Sequence, residues 1–464
     1  MSEENKNMVL DVLLALYLRA ETDIVNELGR LRAFGLVDYH AEAALERVQG
    51  ILQQMQNESF AYIPQMVERE FYVHNPSARR IEETVGKHMA GYKNALSIGE
   101  IALVEQLSAD LSAKVLQASN TVQQTLTNVL VGRREPDIFA AGVRWAVAYN
   151  QVMGLNSLRN IDDLVIALQQ QGVTAFVDKV GRRWSLHSYL GMATRTCRRQ
   201  AESIAVLTAD PEQDLYKISS HNTVCPLCAP YEGRVYSKSG QDPDFPPLAA
   251  AFGKIDPNGV DDLSNTWLNI HPNCLHVLIP WTDAGMTEEE IAKIKEFSSF
   301  ASNPPDIDPR TEAQRRRYRE QQREQRQSLD TYRQWQRYRL ALGDNVPERW
   351  ETFARHKAAA DDIYKNWLQE YRLFNKTKSF QPLIGQMTIN GIEITGISRH
   401  FVERAISRNF SAEAVLKALQ SPVKIGTIKT DEKGGQSQRF TGAGEAVVIN
   451  PVTGKLITGW RTSK

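Results

Sequence analysis

Hydrophobic residues in the first 170 positions recur at three- and four-residue steps, which is the spacing of amphipathic helices. The pattern runs through "DVLLALYLRAETDIVNELGRLRAF", "AEAALERVQGILQQMQ" and the long stretch "GEIALVEQLSADLSAKVLQASNTVQQTLTNVLVG". It continues over "LNSLRNIDDLVIALQQQGVTAFVDKVGRRWSLHSYLGMATRTCRRQAESI", with breaks near Gly172 and Gly181. Because isolated helices are only marginally stable in water, helices this long are expected to pack against one another or against a partner protein. A mainly helical N-terminal body is therefore predicted.

The pattern changes from about 216 to 282, where short strand-like segments alternate with Pro, Gly and Asp. Little periodic apolar sequence is available there to build a core, so we expect a bound metal to stabilise the segment. After the Pro/Asp-rich hinge "ASNPPDIDPRT", the segment "EAQRRRYREQQREQRQSLDTYRQWQRYRLALG" predicts a very polar helix rich in Arg. Such a helix is expected to be a solvated spacer or a partner-binding arm, with direct nucleic-acid binding as the weaker alternative.

The last segment, from roughly residue 385, has the pattern of a separate small domain. "ISRHFVERAISRNFSAEAVLKALQSP" predicts two helices, capped by Ser398 and Ser411 and separated by a break at Asn409. About four strands should follow, with hairpin turns at Gly434–Gly435 and at "NPVTG". Helices followed by an antiparallel sheet make an α+β unit. The predicted fold class is thus multidomain, with a helical body containing a metal knuckle over 1–300, a polar helical linker over 301–384 and an α+β domain over 385–464.

The zero net charge of the whole chain conceals an asymmetry between its two parts. Residues 1–309 contain 27 Lys+Arg against 39 Asp+Glu, a net of −12, and the remainder contains 28 against 16, a net of +12. A basic tail on an acidic body indicates different partners for the two parts, and nucleic acid is the usual partner of a basic surface. The alternative is a basic surface that is simply exposed to solvent. No run approaches the ~20 apolar residues of a membrane-spanning helix, so we expect neither a signal peptide nor a membrane anchor.

Three of the four cysteines are interleaved with histidines in "HNTVCPLCAPYEGRVYS" and "HPNCLHVLIPW". In a reduced cytosol a disulfide is the weaker interpretation, and a Cys-x2-Cys pair followed by His-x2-Cys-x-His is typical of a structural zinc site with four N/S ligands. The candidate ligands are Cys225, Cys228, His271, Cys274 and His276, with His221 as a sixth donor. Three cysteines plus one histidine would complete the site, and His276 is placed slightly ahead of His271. Packed thiols or a redox centre remain the alternative, and Cys197 is expected to be an ordinary thiol.

These motifs carry a family resemblance. "GVTAFVDKVGRRWSLHSYLGMATRT", followed by the two Cys/His segments in the same order, resembles the minor capsid proteins of tailed bacteriophages, related to the head-morphogenesis proteins that accompany the portal. The resemblance covers most of residues 1–300. It implies a virion protein made in the host bacterial cytoplasm and located in the capsid interior, with portal and major capsid proteins as partners and no membrane. It also supports zinc as a structural cofactor, whereas it assigns no role to the arginines at 182–199.

The C-terminal domain contains residue types that suit metal-independent RNA cleavage. That reaction needs a base that titrates near neutrality, a cation for the phosphorane and hydroxyl groups for orientation, and the 2′-hydroxyl as nucleophile makes it specific for RNA. His400 and Arg404 are four residues apart on a predicted helix, so they share a face. Arg439 lies in the alternating strand "QSQRF", and Thr458 and Thr462 lie near the end of the chain. A surface His beside a solvated Arg is the alternative.

This segment resembles the small nuclease domains at the ends of polymorphic toxins and phage minor capsid proteins, which share the barnase–EndoU–colicin–RelE-like fold. The phrases that carry the match are "ISRHFVERAISR", "KGGQSQRF", "VVINPVTGKLITGW" and "RTSK". By resemblance His400 is the candidate base, Arg404 and Arg439 contact phosphate or substrate, and Thr458 and Thr462 are active-site hydroxyls. Lys429 could reach the site from its strand. RNA would be the substrate, and an immunity protein would be a further partner.

Two other functions compete with this endoribonuclease. The chain could be a purely structural minor capsid protein whose basic tail binds DNA or scaffold without catalysis. A C-terminal ADP-ribosyltransferase is the last alternative, because Glu445 is the only glutamate in the late strands and lacks companion residues.

Overall fold

The computed structural model describes residues 8–34, 38–74, 96–130, 173–177 and 181–462. The chain divides into two compact units, each built from segments that are distant in sequence. The first unit comprises the described residues of Met1–Asp23, Val48–Thr125 and Val173–Asp330, and the second those of Ile24–Arg47, Leu126–Gly172 and Thr331–Lys464. Part of the predicted helical region, residues 131–172, lies outside the described residues.

The N-terminal segment forms long helices, as the apolar spacing predicts. They are α1 (Met8–Phe34), α2 (Asp38–His74) and α3 (Ile98–Leu130). In α1 the side chains of Leu13, Tyr17 and Ile24 are fully buried, which follows from their recurrence on one face. No helix in the described part of the chain is both long enough and apolar enough to cross a bilayer.

The prediction of helix between the breaks near Gly172 and Gly181 is wrong. Thr174–Val177 (β1) and Arg183–Ser185 (β2) pair as an antiparallel hairpin, and Gly181 takes a positive φ of 79° beside them. Phe176 stacks on Tyr189 with ring centroids 4.7 Å apart, so this hairpin packs on the helix that follows. The four residues of Thr174–Val177 are too few for their hydrophobic pattern to distinguish a strand from a helical turn. The predicted helix resumes as α4 (Leu186–Thr208).

A small antiparallel sheet follows, as predicted for the turn-rich segment. Its strands are β3 (Leu215–Ile218), β4 (Val235–Ser237) and β5 (Leu278–Pro280), in the order β4-β3-β5. Tyr216 and Tyr236 are fully buried in a core cluster that also includes Cys228 and Cys274. The helix α5 (Glu288–Ser298) then begins with a capping box between Thr287 and Glu290. The core of this sheet therefore contains two of the candidate metal ligands.

The predicted polar linker contains three helices, and the last part of the first one is not solvated. They are α6 (Glu312–Leu342), α7 (Trp350–Ala359) and α8 (Asp362–Ser379). The first half of α6 is largely exposed, but Trp335 and Phe353 are fully buried, and Phe353 stacks on Trp367 at 5.3 Å. The spacer interpretation thus fails for the C-terminal third of α6, because aromatic residues build a core there.

Arg339 is the charged residue at the centre of this core, and its side chain is only 1% exposed. Its Nε donates to Asn26 Oδ1 at 2.9 Å, and its Nη1 donates to the carbonyl oxygens of Gly343 and Val346, both at 2.8 Å. Its Nη2 donates to Asp344 Oδ1 at 2.9 Å. A buried guanidinium with these partners holds α1, the end of α6 and the following turn together.

Replacing Arg339 by methionine should destabilise the second unit by about 3–5 kcal/mol, the usual effect of breaking a buried charged network. Methionine fills similar volume but leaves two carbonyl oxygens without their donor. Urea denaturation of the full-length chain, followed by tryptophan fluorescence, measures the change. Arg333→Met is the matched control, because Arg333 is exposed on the same helix and its loss should cost less than about 0.5 kcal/mol. Equal losses in both variants would show that the network contributes no stability.

The C-terminal domain is the α+β unit predicted, with one difference. Its elements are β6 (Gly396–Ile397), α9 (Arg399–Arg408), α10 (Ala412–Gln420), β7 (Lys424–Ile425), β8 (Lys429–Thr430), β9 (Gln436–Thr441), β10 (Glu445–Ile449) and β11 (Lys455–Arg461). The strand order is β6-β11-β10-β9-β7, with β8 beside β9. Ser398 and Ser411 cap the two helices, and Asn409 ends the first with a φ of 46°, as predicted. The pair β6–β11 is parallel, whereas an antiparallel sheet was expected.

The core of this domain lies between the sheet and the two helices. Phe401 and Ala405 from α9 and Val415 from α10 pack with Phe440 and Val447 from the strands, and all are fully buried. Both helices contact the central strands from this side. Because successive side chains of a strand point to opposite faces, the residues next to Phe440 and Val447 lie on the other face of the sheet.

Candidate metal centre and C-terminal surface

The cysteines of the first motif lie on a tight turn between β3 and β4. Ala229 donates its N–H to Cys225 O at 3.1 Å, and the N–H groups of Tyr231 and Glu232 donate to Cys228 O. Such a knuckle turns two thiols three residues apart toward the same point. The second motif lies before β5, where Cys274 donates its N–H to His271 O at 3.0 Å. The two loops therefore place their ligand-type side chains together.

The sulfur and nitrogen atoms form two overlapping groups that share Cys228. His271 Nε2 lies 3.4 Å from Cys225 Sγ and 3.0 Å from Cys228 Sγ. On the other side, Cys228 Sγ lies 3.9 Å from Cys274 Sγ, which lies 3.5 Å from His276 Nδ1. Within each group of three the ligand atoms all lie within 4.8 Å of one another. All five candidate ligands named from the sequence are thus brought together.

The two histidines have different partners. His271 Nδ1 lies 2.6 Å from the carbonyl oxygen of Pro272, so Nδ1 carries the proton and Nε2 presents its lone pair to the thiols. A hydrogen bond of this kind is the usual outer-shell support of a metal-binding histidine. His276 Nε2 is buried without a hydrogen-bond partner, 3.5 Å from Glu232 Oε1. His221 is engaged elsewhere, with Nε2 2.7 Å from Ser219 Oγ.

The thiols polarise one another. Hydrogen bonding to Cys228 lowers the pKa of Cys225 to about 3 and that of Cys274 to about 4, while its hydrogen bonds to both neighbours raise the pKa of Cys228 itself. All four cysteines are free thiols. Three sulfurs and an imidazole nitrogen are the donor set of a structural zinc site. The residues therefore fit a metal ion.

Cys197 differs from the other three cysteines. Burial raises its pKa to about 12, and its Sγ lies 3.7 Å from Leu107 O on a helix of the same unit. A thiol that stays protonated is a poor nucleophile and a poor metal ligand. It is an ordinary buried residue, in agreement with the sequence.

His400 and Arg404 lie on the exposed side of α9. Phe401, Val402 and Ala405 occupy the buried side of this helix, whereas His400 and Arg404 are exposed one turn apart. Arg399 on the same helix pairs with Glu370 of α8 and with Glu403. The predicted sharing of a helix face by His400 and Arg404 is confirmed.

Arg439 and Thr458 lie on the sheet face that the helices do not cover. Both pair with Val448 across the neighbouring strands, so the three side chains share one face, opposite to Phe440 and Val447. The guanidinium of Arg439 lies over the ring of Trp460 at 5.8 Å, a cation–π distance. Thr462 follows β11 and donates its N–H to Gly444 O at 2.8 Å.

The structure therefore brings four of the five C-terminal candidates together in two pairs, while Thr462 lies just after β11. His400 and Arg404 share the helix surface, while Arg439 and Thr458 share the open sheet face. The register places Lys429 on that face too, because it pairs with Ser437, two residues from Arg439. Trp460 was missed, although its alternation with Thr458 in "LITGW" was a visible signal. Glu445 lies at the start of β10, opposite Arg461.

Comparison with known proteins gives one match. The family model described as Phage minor capsid protein 2 matches residues 36–345. That span covers most of the described helical body, the Cys/His cluster and α6. No curated protein and no solved structure matches the chain.

Proposed function

The chain belongs to the phage minor capsid protein 2 family, and from this premise we propose that it lies in the capsid interior beside the portal. A structural role in the virion follows from the family. The finer placement is supported by the long helices of the body and by its net charge of −12 over residues 1–309. Portal and major capsid proteins would contact the packed helical faces, and the chain would be made in the host cytoplasm before assembly.

The Cys/His cluster supports a structural zinc ion in this capsid-facing part. We propose Cys225, Cys228, Cys274 and His271 as its four ligands. His271 is preferred to His276 because its Nε2 faces two sulfurs and its Nδ1 is fixed by Pro272. Four protein ligands would close the coordination sphere, so the ion would stabilise the sheet and its loops and would have no position for a reacting water.

A chain shortened to residues 1–379 should still enter phage heads. This truncation removes the whole core of the α+β domain, because the first core residues along the chain are Phe380 and Leu383. It retains Arg339 and the helices that pack around it. Quantifying the truncated protein in purified particles by mass spectrometry, relative to the wild type, tests the placement. Absence of a folded and soluble 1–379 protein from the heads would contradict it.

A shorter truncation serves as the structural comparison. Removing residues 310–464 also removes Arg339 and Glu348, which bind Asn26 and Arg30 of α1. The protein of residues 1–309 is expected to be less stable, so its failure to assemble would report misfolding. Comparing the two lengths separates docking from folding.

We also propose that the α+β domain is an RNase effector that travels with the particle. The proposal is supported by the order of helices and strands and by the excess of 11 Lys+Arg over 6 Asp+Glu in residues 391–464. His400 and Arg439 lie on different surfaces of the domain, so the proposal assigns them different roles. The α9 surface would carry out the cleavage, and the open sheet face would bind the RNA. An immunity protein would have to cover His400 and Arg404 to block cleavage.

The same open sheet face favours the alternative of a non-catalytic tail. Arg439, Trp460 and Lys429 combine cations with an aromatic ring, which suits binding of a single-stranded nucleic acid. Under this alternative the basic tail would bind packaged DNA or an acidic scaffold. RNA cleavage assays on the His400 variant distinguish the two functions.

A further inference from the structure

The first unit contains a cavity of about 790 Å³ beside the Cys/His cluster. Three helices and the second Cys/His loop surround it. Its lining includes Asp11, Glu70, Arg195 and Glu202, together with the apolar side chains of Leu10, Leu14 and Leu275. Arg198 and Arg199 also line it, and together with Arg195 they belong to the basic segment at 182–199, which has no role in the functions described above.

The two buried carboxylates of this cavity, Glu70 and Glu202, are already paired. Glu70 accepts from Arg198 Nε at 2.9 Å, and Arg199 donates to Glu202. His74 lies between them, with Nε2 3.5 Å from an oxygen of each carboxylate. The side chains of Glu70 and Glu202 are only 5% exposed, so these pairs form the floor of the cavity. Little negative charge is left for a further cation.

Arg195 is the cation of the cavity that lacks an ion pair. Its Nη1 reaches Asn273 Oδ1 at 3.4 Å, and no carboxylate oxygen of the described residues lies within 4.0 Å of it. Partial burial lowers its pKa, and Asp11 offsets this only through its distant charge. One turn earlier, a Cβ at Gly191 would lie 3.4 Å from Arg195 Nη1 and 3.3 Å from Leu14, so the guanidinium lies against this glycine and beside an apolar side chain.

We propose that this cavity binds an extended acidic peptide segment of another virion protein, with a carboxylate on Arg195 and apolar side chains against Leu10, Leu14 and Leu275. A bidentate arginine–carboxylate pair supplies orientation, and the volume lies in the range of pockets that enclose a short ligand. Leu275 is 68% exposed, which leaves an apolar wall for a partner to cover.

A peptide fits the cavity better than a nucleic-acid strand. A strand would bring a phosphate at every nucleotide, but the lining offers one uncompensated arginine between apolar side chains and paired carboxylates. Glu70 and Glu202 at the floor would repel a run of phosphates. One carboxylate flanked by leucine side chains matches the one unpaired arginine beside the apolar wall. The inference depends only on the first unit and is independent of portal placement and of RNA cleavage.

The test measures binding of a fluorescein-labelled hexapeptide of alternating leucine and glutamate to the full-length chain by anisotropy. The wild type should bind it, and Arg195→Gln should raise the Kd about tenfold or more, since a charge-assisted hydrogen bond is lost. Arg316→Gln is the matched control, because Arg316 lies outside the cavity with its side chain 74% exposed, and its Kd should stay within twofold. Peptides with lysine for glutamate, or alanine for leucine, should bind more weakly.

Several results would overturn the proposal. These are no binding at peptide concentrations up to about 1 mM, equal affinity of the Arg195→Gln and wild-type proteins, or an equal loss with Arg316→Gln. A ten-nucleotide oligothymidylate that binds with the same dependence on Arg195 would show that the cavity takes nucleic acid instead. Because Arg195→Gln leaves the two buried ion pairs intact, circular dichroism and metal content should match the wild type. If the 1–379 protein binds the peptide but does not enter phage heads, that result would count against the portal placement alone.

Discussion

Cys228→Ala should abolish metal binding and unfold the sheet formed by β3, β4 and β5. Purified wild-type protein is expected to contain about one zinc ion per chain. Cys228 is the residue shared by both groups of ligand atoms, so its loss removes a sulfur from each of them. Because metal binding and folding are one equilibrium in such small modules, losing a site worth on the order of 10 kcal/mol should leave residues 215–280 without stable packing. Elemental analysis and hydrogen exchange measure the two effects.

Cys197→Ala is the matched control for this variant. Cys197 is buried like Cys228, but it lies outside the cluster and its pKa is raised to about 12. Its replacement should leave the zinc content at one and the exchange rates of residues 215–280 unchanged. Wild-type protein without metal, with all three cluster thiols freely titratable in the native state, would contradict the site. His271→Ala should lower zinc affinity more than His276→Ala.

His400→Ala should reduce RNA cleavage by about 10²–10⁴-fold, the usual effect of deleting a general base. In the proposed reaction the imidazole would accept the proton of the 2′-hydroxyl, and the neighbouring Arg404 would stabilise the phosphorane. Arg404→Ala should therefore lose a comparable factor. Arg439→Ala lies on the open sheet face and should act mainly through weaker RNA binding, by about tenfold and with a reduced salt dependence. Gel analysis of cleaved RNA, with a terminal 2′,3′-cyclic phosphate expected, measures these losses.

Lys417→Ala controls for the loss of a cation from the same domain, because Lys417 lies on α10, away from both surfaces. Its cleavage rate should stay within twofold of the wild type, and cleavage should need no divalent metal and should spare DNA of the same sequence. Undiminished cleavage by the His400→Ala protein would remove His400 as the base. A folded wild-type chain that cuts no RNA would favour the purely structural tail.

The sequence predicts the features that depend on local signals. Ser398, Asn409 and Ser411 mark the helix boundaries of the C-terminal domain because capping is decided within one turn. The Cys/His cluster was likewise visible from spacing. The preference for His271 over His276 as a ligand was not visible, because it depends on which ring nitrogen reaches the thiols after folding. The hairpin near residue 175 was missed because four residues are too few to distinguish the two-residue period of a strand from the 3.6-residue period of a helix.

Long-range packing accounts for the other differences. The parallel pairing of β6 with β11 joins residues nearly 60 positions apart, and neither short segment indicates its partner. The separation of His400 from Arg439 also depends on which face of the sheet the helices cover. In both cases the local hydrophobic pattern was interpreted correctly, but tertiary contacts determined which strands pair and which side chains share a surface.

The burial of Arg339 has a consequence for how α6 tolerates change in evolution. Nine arginines lie in this helix, and their number makes each look replaceable by lysine or glutamine. Only a planar group with donors on three nitrogens can reach Asn26, Asp344 and two carbonyl oxygens at once, and lysine offers a single ammonium. Sequence drift along α6 should therefore be unequal: the solvent-facing arginines can exchange freely with other polar residues, while position 339 keeps its guanidinium. A saturation library scored for folded protein would show position 339 as invariant and the solvent-facing arginine positions of the helix as permissive.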